Sequence, residues 1–132
     1  MLCKDWNFPT LDGRAHFYAS ALPADVLAKN EFMVITRRGK QFNSIVHQDL
    51  DPMNKQMRDA VLMNKDDALR LGIGEGERVV LENVFGTFTG RVVIAPLASR
   101  SLQVHYPESN VLVDPKARSR LAQIPAFKGV IA

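Results

Sequence analysis

The stretch Asn64-Lys-Asp-Asp-Ala-Leu-Arg-Leu-Gly72 limits the architecture more than any other part of the chain. Asn64 has the chemistry of an N-cap, Asp66 and Asp67 suit the positive first turn of a helix, Arg70 suits its last turn, and Gly72 stops it. The helix so defined has barely two turns, so packing through Ala68, Leu69 and Leu71 must stabilise it. A parallel crossover takes about a dozen residues or more, usually as a helix. An open parallel sheet therefore does not suit this chain.

The remaining pattern is one of short strands. Residues 31–36 (EFMVIT) form an apolar run rich in strand formers, and residues 60–63 (AVLM) read as a second, buried strand. ERVVLENVFGTFTGRVVIAP (77–96) gives two strands joined by a tight turn near Phe85-Gly86, with Pro96 ending the second. SLQVHY (101–106) is a further strand, followed by Pro107. The tail from Asp114 closes with a short apolar piece suited to an edge strand. Residues 22–30 (LPADVLAKN) suggest a helical turn or two, and residues 46–59 read as an exposed loop. About six strands and one or two short helices predict a mainly β fold, a small β-barrel with inserted helical turns.

With 132 residues, 46% of them hydrophobic, one domain spanning residues 1–132 is expected, with a lead-in over about 1–30 and the barrel over 31–132. A domain of this size buries roughly two-thirds of its unfolded surface and needs no covalent staples. No apolar run reaches the ~18 residues of a membrane span. The start, MLCKDWNFPT, lacks the apolar core of a secretion signal, and a single cysteine excludes an internal disulfide. A cytoplasmic location is the expectation. Net charge is +3, from 17 Lys+Arg against 14 Asp+Glu, and it comes from the tail after Val113. A nucleic-acid binder would show a larger excess on one face.

Local charge is more informative. ITRRGKQFNSIVHQ (35–48) carries Arg37, Arg38 and Lys40 around Gly39, with no acid before Asp49. Guanidinium forks match phosphate oxygens, and a glycine among them lets backbone N–H groups approach an anion. Thr36, Gln41, Asn43 and Ser44 then offer hydrogen bonds to a polar heterocycle. A solvated hairpin loop explains the same residues about as well. At the helix start, Asp66 or Asp67 has the chemistry to accept the N1–H and N2–H groups of a guanine. Capping and dipole stabilisation explain these residues without a ligand, and spacing alone favours that reading. His16, His47 and His105 lack metal-ligand spacing, Cys3 has no partner in view, and no catalytic or nucleotide-loop motif is present. The chain reads as a binder without a catalytic residue or a metal ligand.

Taken in order, FPTLDGRAHF, TRRGKQFNSIVHQ, DAVLMNKDDALRLGIGEGERVVLENVFGTFTGRV, SLQVHYPESNVLVD and IPAFKGV resemble the C-terminal dinucleotide-binding domain of molybdopterin oxidoreductases. The likeness is greatest to formate-dehydrogenase-like alpha subunits of the dimethyl-sulfoxide-reductase family, and runs from about Phe8 to Ile131. The resemblance implies a double-psi β-barrel that helps hold bis-(molybdopterin guanine dinucleotide) with molybdenum or tungsten. It places Thr36, Arg37, Arg38, Gly39 and Lys40 at the pterin and pyrophosphate, with Gln41, Asn43 and Ser44 nearby. It matches Asn64 and Asp67 to a guanine contact, His105, Tyr106, Glu108 and Asn110 to a polar segment beside the pterin, and Phe127 and Lys128 to a closing pair.

Complete members of that family run several times this length and carry a cysteine-bound iron–sulfur cluster, which a chain with one cysteine cannot hold. The expectation is a non-catalytic cofactor-binding domain or split subunit. Its partner would be the remaining domains or a large catalytic subunit of the oxidoreductase, with no nucleic acid and no membrane span. The alternative is a free-standing β-barrel that binds nucleotides or a partner protein in cofactor handling.

Overall fold

The computed structural model describes residues 4–21, 27–39, 48–119, 122–125 and 130–132. Its strands are β1 (Met33–Arg38), β2 (Ala60–Met63), β3 (Arg78–Asn83), β4 (Gly86–Ile94), β5 (Ser101–Tyr106) and β6 (Val130–Ile131), with one α-helix, α1 (Lys65–Leu71). All four residues of β2 are buried. A strand covered on both faces reads as an unbroken apolar run, which is why AVLM carries no alternation. β4, by contrast, buries Phe88, Gly90 and Val92 and exposes Thr87, Thr89 and Arg91, the period-two pattern of a half-buried strand. Gly90 is required there, because a Cβ would stand 2.4 Å from the Asp59 carbonyl oxygen.

The strand order is β3-β4-β2-β5-β1-β6. Successive pairings run antiparallel, parallel, antiparallel, parallel and antiparallel, so the pattern is the same read from either edge, about an axis between β2 and β5. The two edge strands meet. Asn83, the last residue of β3, donates from Nδ2 to the Ile131 carbonyl of β6 at 3.1 Å and to the Leu112 carbonyl at 2.8 Å. Leu81 of β3 and Val130 of β6 pack into one core with Val61, Val104 and Leu102. The sheet is thus curled edge to edge, the barrel-type fold that the strand count implied, with one short α-helix among the described residues.

Helix α1 is built as its sequence reads. Asn64 Oδ1 accepts the Asp66 N–H at 2.7 Å, and Gly72 ends the helix in the left-handed region at φ 69°. Two boundaries differ from expectation. β1 begins at Met33 and runs through Arg38, so Arg37 and Arg38 belong to a strand end and not to a loop. Pairing with β5 as far as Arg38–Tyr106 extends the strand past its apolar residues. Residues 48–59 are not simply an exposed loop either. Leu50 bridges Met57, and Asp51 is fully buried. The hairpin turn lies at Val84-Phe85, one residue earlier than expected. The proposed helical turn at 22–30 falls largely outside the described residues. No described helix is long and apolar enough to cross a membrane.

Candidate functional site

Parallel pairing of β1 with β5 brings Thr36 opposite Val104, Arg37 opposite His105 and Arg38 opposite Tyr106. Parallel strands send the chain out at the same end, so both C-termini open into one cleft of about 840 Å³. Thr36, Arg37, Arg38 and Tyr106 form one wall. A second wall comes from the segment after β5: Asn110, Val113, Asp114, Pro115 and Arg118, with Pro125. Isolated bridge pairing between Arg118 and Pro125, with Arg118 donating from Nη1 to the Pro115 and Ala117 carbonyls at 3.0 Å, fixes that wall.

Three arginines line the cleft, and they are not equivalent. Arg37 donates from Nη2 to Asp51 Oδ2 at 3.1 Å. Asp51 Oδ1 accepts the Met53 N–H at 2.9 Å, so the carboxylate is tied to its own loop while it orients the guanidinium. Arg38 is exposed and has no hydrogen-bond or ion-pair partner among the described residues. It is the cation most available to an incoming anion. The side-chain amide of Asn110 is likewise exposed and without a bond among the described residues.

Behind the cleft wall lies a buried polar group. His105 Nδ1 donates to the Met57 carbonyl at 3.1 Å, which leaves Nε2 as the acceptor of a neutral ring. That Nε2 is buried with no partner among the described residues. Burial, and then the Arg37 guanidinium, hold His105 below the usual imidazole range, against the opposing pull of Asp51 and Glu108. Glu108 is ion-paired with Arg58, and its Oε2 is buried without a partner among the described residues.

The sequence-derived site residues therefore divide. Thr36, Arg37, Arg38, Tyr106 and Asn110 share the cleft, Gly39 follows β1 at its mouth and is buried, and His105 and Glu108 lie outside the set of lining residues. Asn64 and Asp67 lie elsewhere. Met63 pairs with Leu102, so α1 leaves the sheet at the β5 start, the end opposite Tyr106. Asn64 caps the helix and donates from Nδ2 to the Leu97 carbonyl at 2.6 Å. Asp67 accepts the Arg100 N–H at 2.6 Å, the Ser99 hydroxyl at 3.2 Å and Arg70 Nη2 at 3.1 Å. Burial pushes its carboxyl up, but these donors outweigh it and the net shift is downward. Lys40, Gln41, Asn43, Ser44, Phe127 and Lys128 lie outside the described residues. No group of three metal-ligating side chains is assembled among those described.

Sequence reading missed Asp51, Asp114 and Arg118. Asp51 sits in a stretch without periodicity, and Asp114 and Arg118 count in the sequence only as members of a basic tail.

Comparison with known proteins identifies the family. The family model for the molydopterin dinucleotide binding domain matches residues 32–131. This chain belongs to that family. Among curated proteins, Protein YdeP of Escherichia coli (strain K12) and Protein YdeP of Shigella flexneri are each 28% identical to it over 142 residues, covering 96% of this chain. The chain spans 18% of the length of those relatives. A dinucleotide-binding domain of this family needs a place for a charged, elongated ligand. The cleft has groups suited to such a ligand: an arginine with no side-chain partner among the described residues, a second arginine bonded to a buried carboxylate, and an amide and a hydroxyl among the lining residues. The residues present fit the phosphate-bearing part of a molybdopterin dinucleotide.

Proposed function

We propose that the cleft between the C-terminal ends of β1 and β5 and the 113–118 segment holds the pterin–pyrophosphate part of a molybdopterin dinucleotide. The register that sets Arg38 beside Tyr106, in a cleft that Arg118 also lines, is the observation that carries this reading. Arg38 and Arg37 would bind the diphosphate, with Lys40 following in the chain. Thr36, Tyr106 and Asn110, together with Gln41, Asn43 and Ser44, would hydrogen-bond the polar ring system. Phe127 and Lys128 would close the site. A guanidinium presents a planar fork of donors that matches phosphate oxygens, and a partly desolvated cleft strengthens each such bond.

In this reading residues 31–132 are the binding barrel, residues 1–30 lead into it, and the chain works with the remaining domains or a large catalytic subunit of an oxidoreductase. The formate-dehydrogenase-like type, the cytoplasm, and bis-(molybdopterin guanine dinucleotide) with molybdenum or tungsten are parts of the same proposal. When bound, the cofactor supplies dithiolene sulfurs to the metal and carries the redox chemistry. This chain contributes orientation and charge: pairing with β5 holds the end of β1 that carries Arg37 and Arg38, and Asp51 orients Arg37.

The test is a titration of the chain with inorganic pyrophosphate, followed by ¹⁵N amide shifts. Shifts at residues 36–39 and 106–118 that vanish in Arg38→Ala are expected. An unperturbed cleft at millimolar pyrophosphate would sink the assignment.

A further inference from the structure

We infer that the cleft takes up its anion together with a proton, and that His105 is the group that receives it. This rests on the reading of the cleft as an anion site and adds to it a dependence on pH.

The geometry follows from the β1–β5 register. Arg37, which lines the cleft, stands opposite His105, which lies behind the wall and is 1% exposed. The Nδ1–H of His105 is committed to the Met57 carbonyl, so an added proton goes to Nε2, which is buried without a partner among the described residues. Charged groups face the ring from three places. β1 supplies Arg37, the segment between β1 and β2 supplies Asp51, and the 3₁₀ turn Glu108–Leu112 supplies Glu108. β2, paired with the other side of β5, is wholly apolar.

The charges around the ring balance without it. Arg37 pairs with Asp51, and Arg58 pairs with Glu108. A proton on His105 therefore leaves one positive charge in excess, beside a guanidinium and where burial limits screening. Burial, and then Arg37, hold the ring in its neutral form. An anion in the cleft leaves the burial of the ring as it is, but it sets negative charge against Arg37 and offsets that cation's repulsion of the imidazolium. Protonation then costs less. Such coupling is reciprocal: the anion makes the ring easier to charge, and the charged ring makes the anion bind more tightly. Affinity thus rises as pH falls through the range in which the ring protonates. The proton comes from solvent and returns to it when the anion leaves.

The experiment follows the imidazole Cε1–H signals of the ¹³C-labelled chain between about pH 5 and 7.5, the range in which imidazoles titrate. Spectra are taken with saturating inorganic pyrophosphate and with sodium chloride at the same ionic strength. His105→Asn and His16→Gln assign the signals, and backbone amide shifts report whether the cleft is occupied. Pyrophosphate should raise the His105 midpoint by about half a pH unit or more, the counterpart of roughly threefold or more tighter binding to the charged ring. His16, which pairs with Asp12 in the exposed lead-in, should keep its midpoint.

An unmoved His105 midpoint, or a ring that stays neutral throughout, with the cleft amides shifted, would overturn the coupling while leaving the anion cleft standing. An equal rise at His16 would do the same, since it marks a general charge effect. Absence of any amide shift in the cleft would overturn the cleft reading and this inference together.

Discussion

Asn83 closes the barrel through Ile131: its Nδ2 donates to the Ile131 carbonyl at 3.1 Å, joining the two edge strands that no described ladder pairing connects. The same side chain also donates to Leu112 and accepts the N–H groups of Phe85 and Gly86 at 2.9 and 3.2 Å. Replacing it by alanine strands two half-buried carbonyls and two turn N–H groups. The expected loss is about 2–3 kcal/mol, since unsatisfied groups cost more than an average bond is worth. For a domain of this size that lowers Tm by roughly 5–15 °C, measurable by thermal unfolding. Asn83→Asp keeps the acceptor and loses both donors. It should recover little of the loss, because a carboxylate then faces two carbonyl oxygens.

Arg37 and Arg38 are neighbours in sequence and should separate in experiment. Arg38 has no internal partner among the described residues, so Arg38→Ala should leave stability within about 0.5 kcal/mol while weakening pyrophosphate binding. Arg37→Ala removes the guanidinium partner of the fully buried Asp51 carboxylate. It should destabilise the fold by about 2–4 kcal/mol, somewhat less than the loss of a fully buried pair, and weaken binding as well. Parallel denaturation and pyrophosphate titration of the two variants check this. Equal stability would mean that the Arg37–Asp51 bond contributes nothing.

These contrasts mark what a linear reading reaches. Helix α1 was legible because its cap, its charges and its stop all act within a few residues of one another. The β3–β4 hairpin was legible because a two-residue turn fixes its register. The end of β1 was not legible: local polarity after Thr36 reads as loop, and only pairing with β5 carries the strand to Arg38. Burial of Asp51 depends on Arg37, a partner distant in the chain, and its surroundings Leu50 and Pro52-Met53 give no periodic signal. The second wall of the cleft exists because the tail folds back through the Arg118–Pro125 bridge, and nothing in Asp114-Pro115-Lys116 announces that. Cationic residues of the first wall were found by composition; their counterparts across the cleft needed the fold.

His105 should make stability depend on pH near neutrality. Its folded-state pKa lies below the ordinary 6.5, with burial the main cause and Arg37 next. Between the folded and unfolded values the unfolded chain binds the extra proton, so stability rises with pH across that window. The contribution is complete above the unfolded value and is lost as pH falls from about 6.5 toward the folded value. Urea unfolding at pH 7.5 and 5.5 should show a lower midpoint at the acid end. In His105→Asn, whose amide can replace the Nδ1 bond to Met57, that difference should shrink although the variant starts less stable. An unchanged pH slope would show that His105 titrates alike in both states.

Asp67 supplies the opposite end of the sheet with a structural bond set, and its pH behaviour tests that role. Its carboxylate ties α1 to Ser99 and Arg100 in the turn before β5, where Arg100 holds a left-handed backbone at φ 59°. Burial raises its pKa, the Arg100 N–H with Arg70 and Ser99 lowers it by more, and the net value lies below the ordinary 3.8. A depressed carboxyl contributes stability above the unfolded pKa, and that contribution is lost as pH falls through the folded one. Asp67→Asn retains one acceptor oxygen for three donors and should cost about 1–3 kcal/mol at pH 7. The gap between the two proteins should narrow below pH 3.8, where the unfolded carboxylate protonates before the native one. Pyrophosphate affinity should be the same in both, because the cleft opens at the other end of the strands. A variant that folds normally and binds pyrophosphate normally yet loses affinity for GDP would place Asp67 at the base after all.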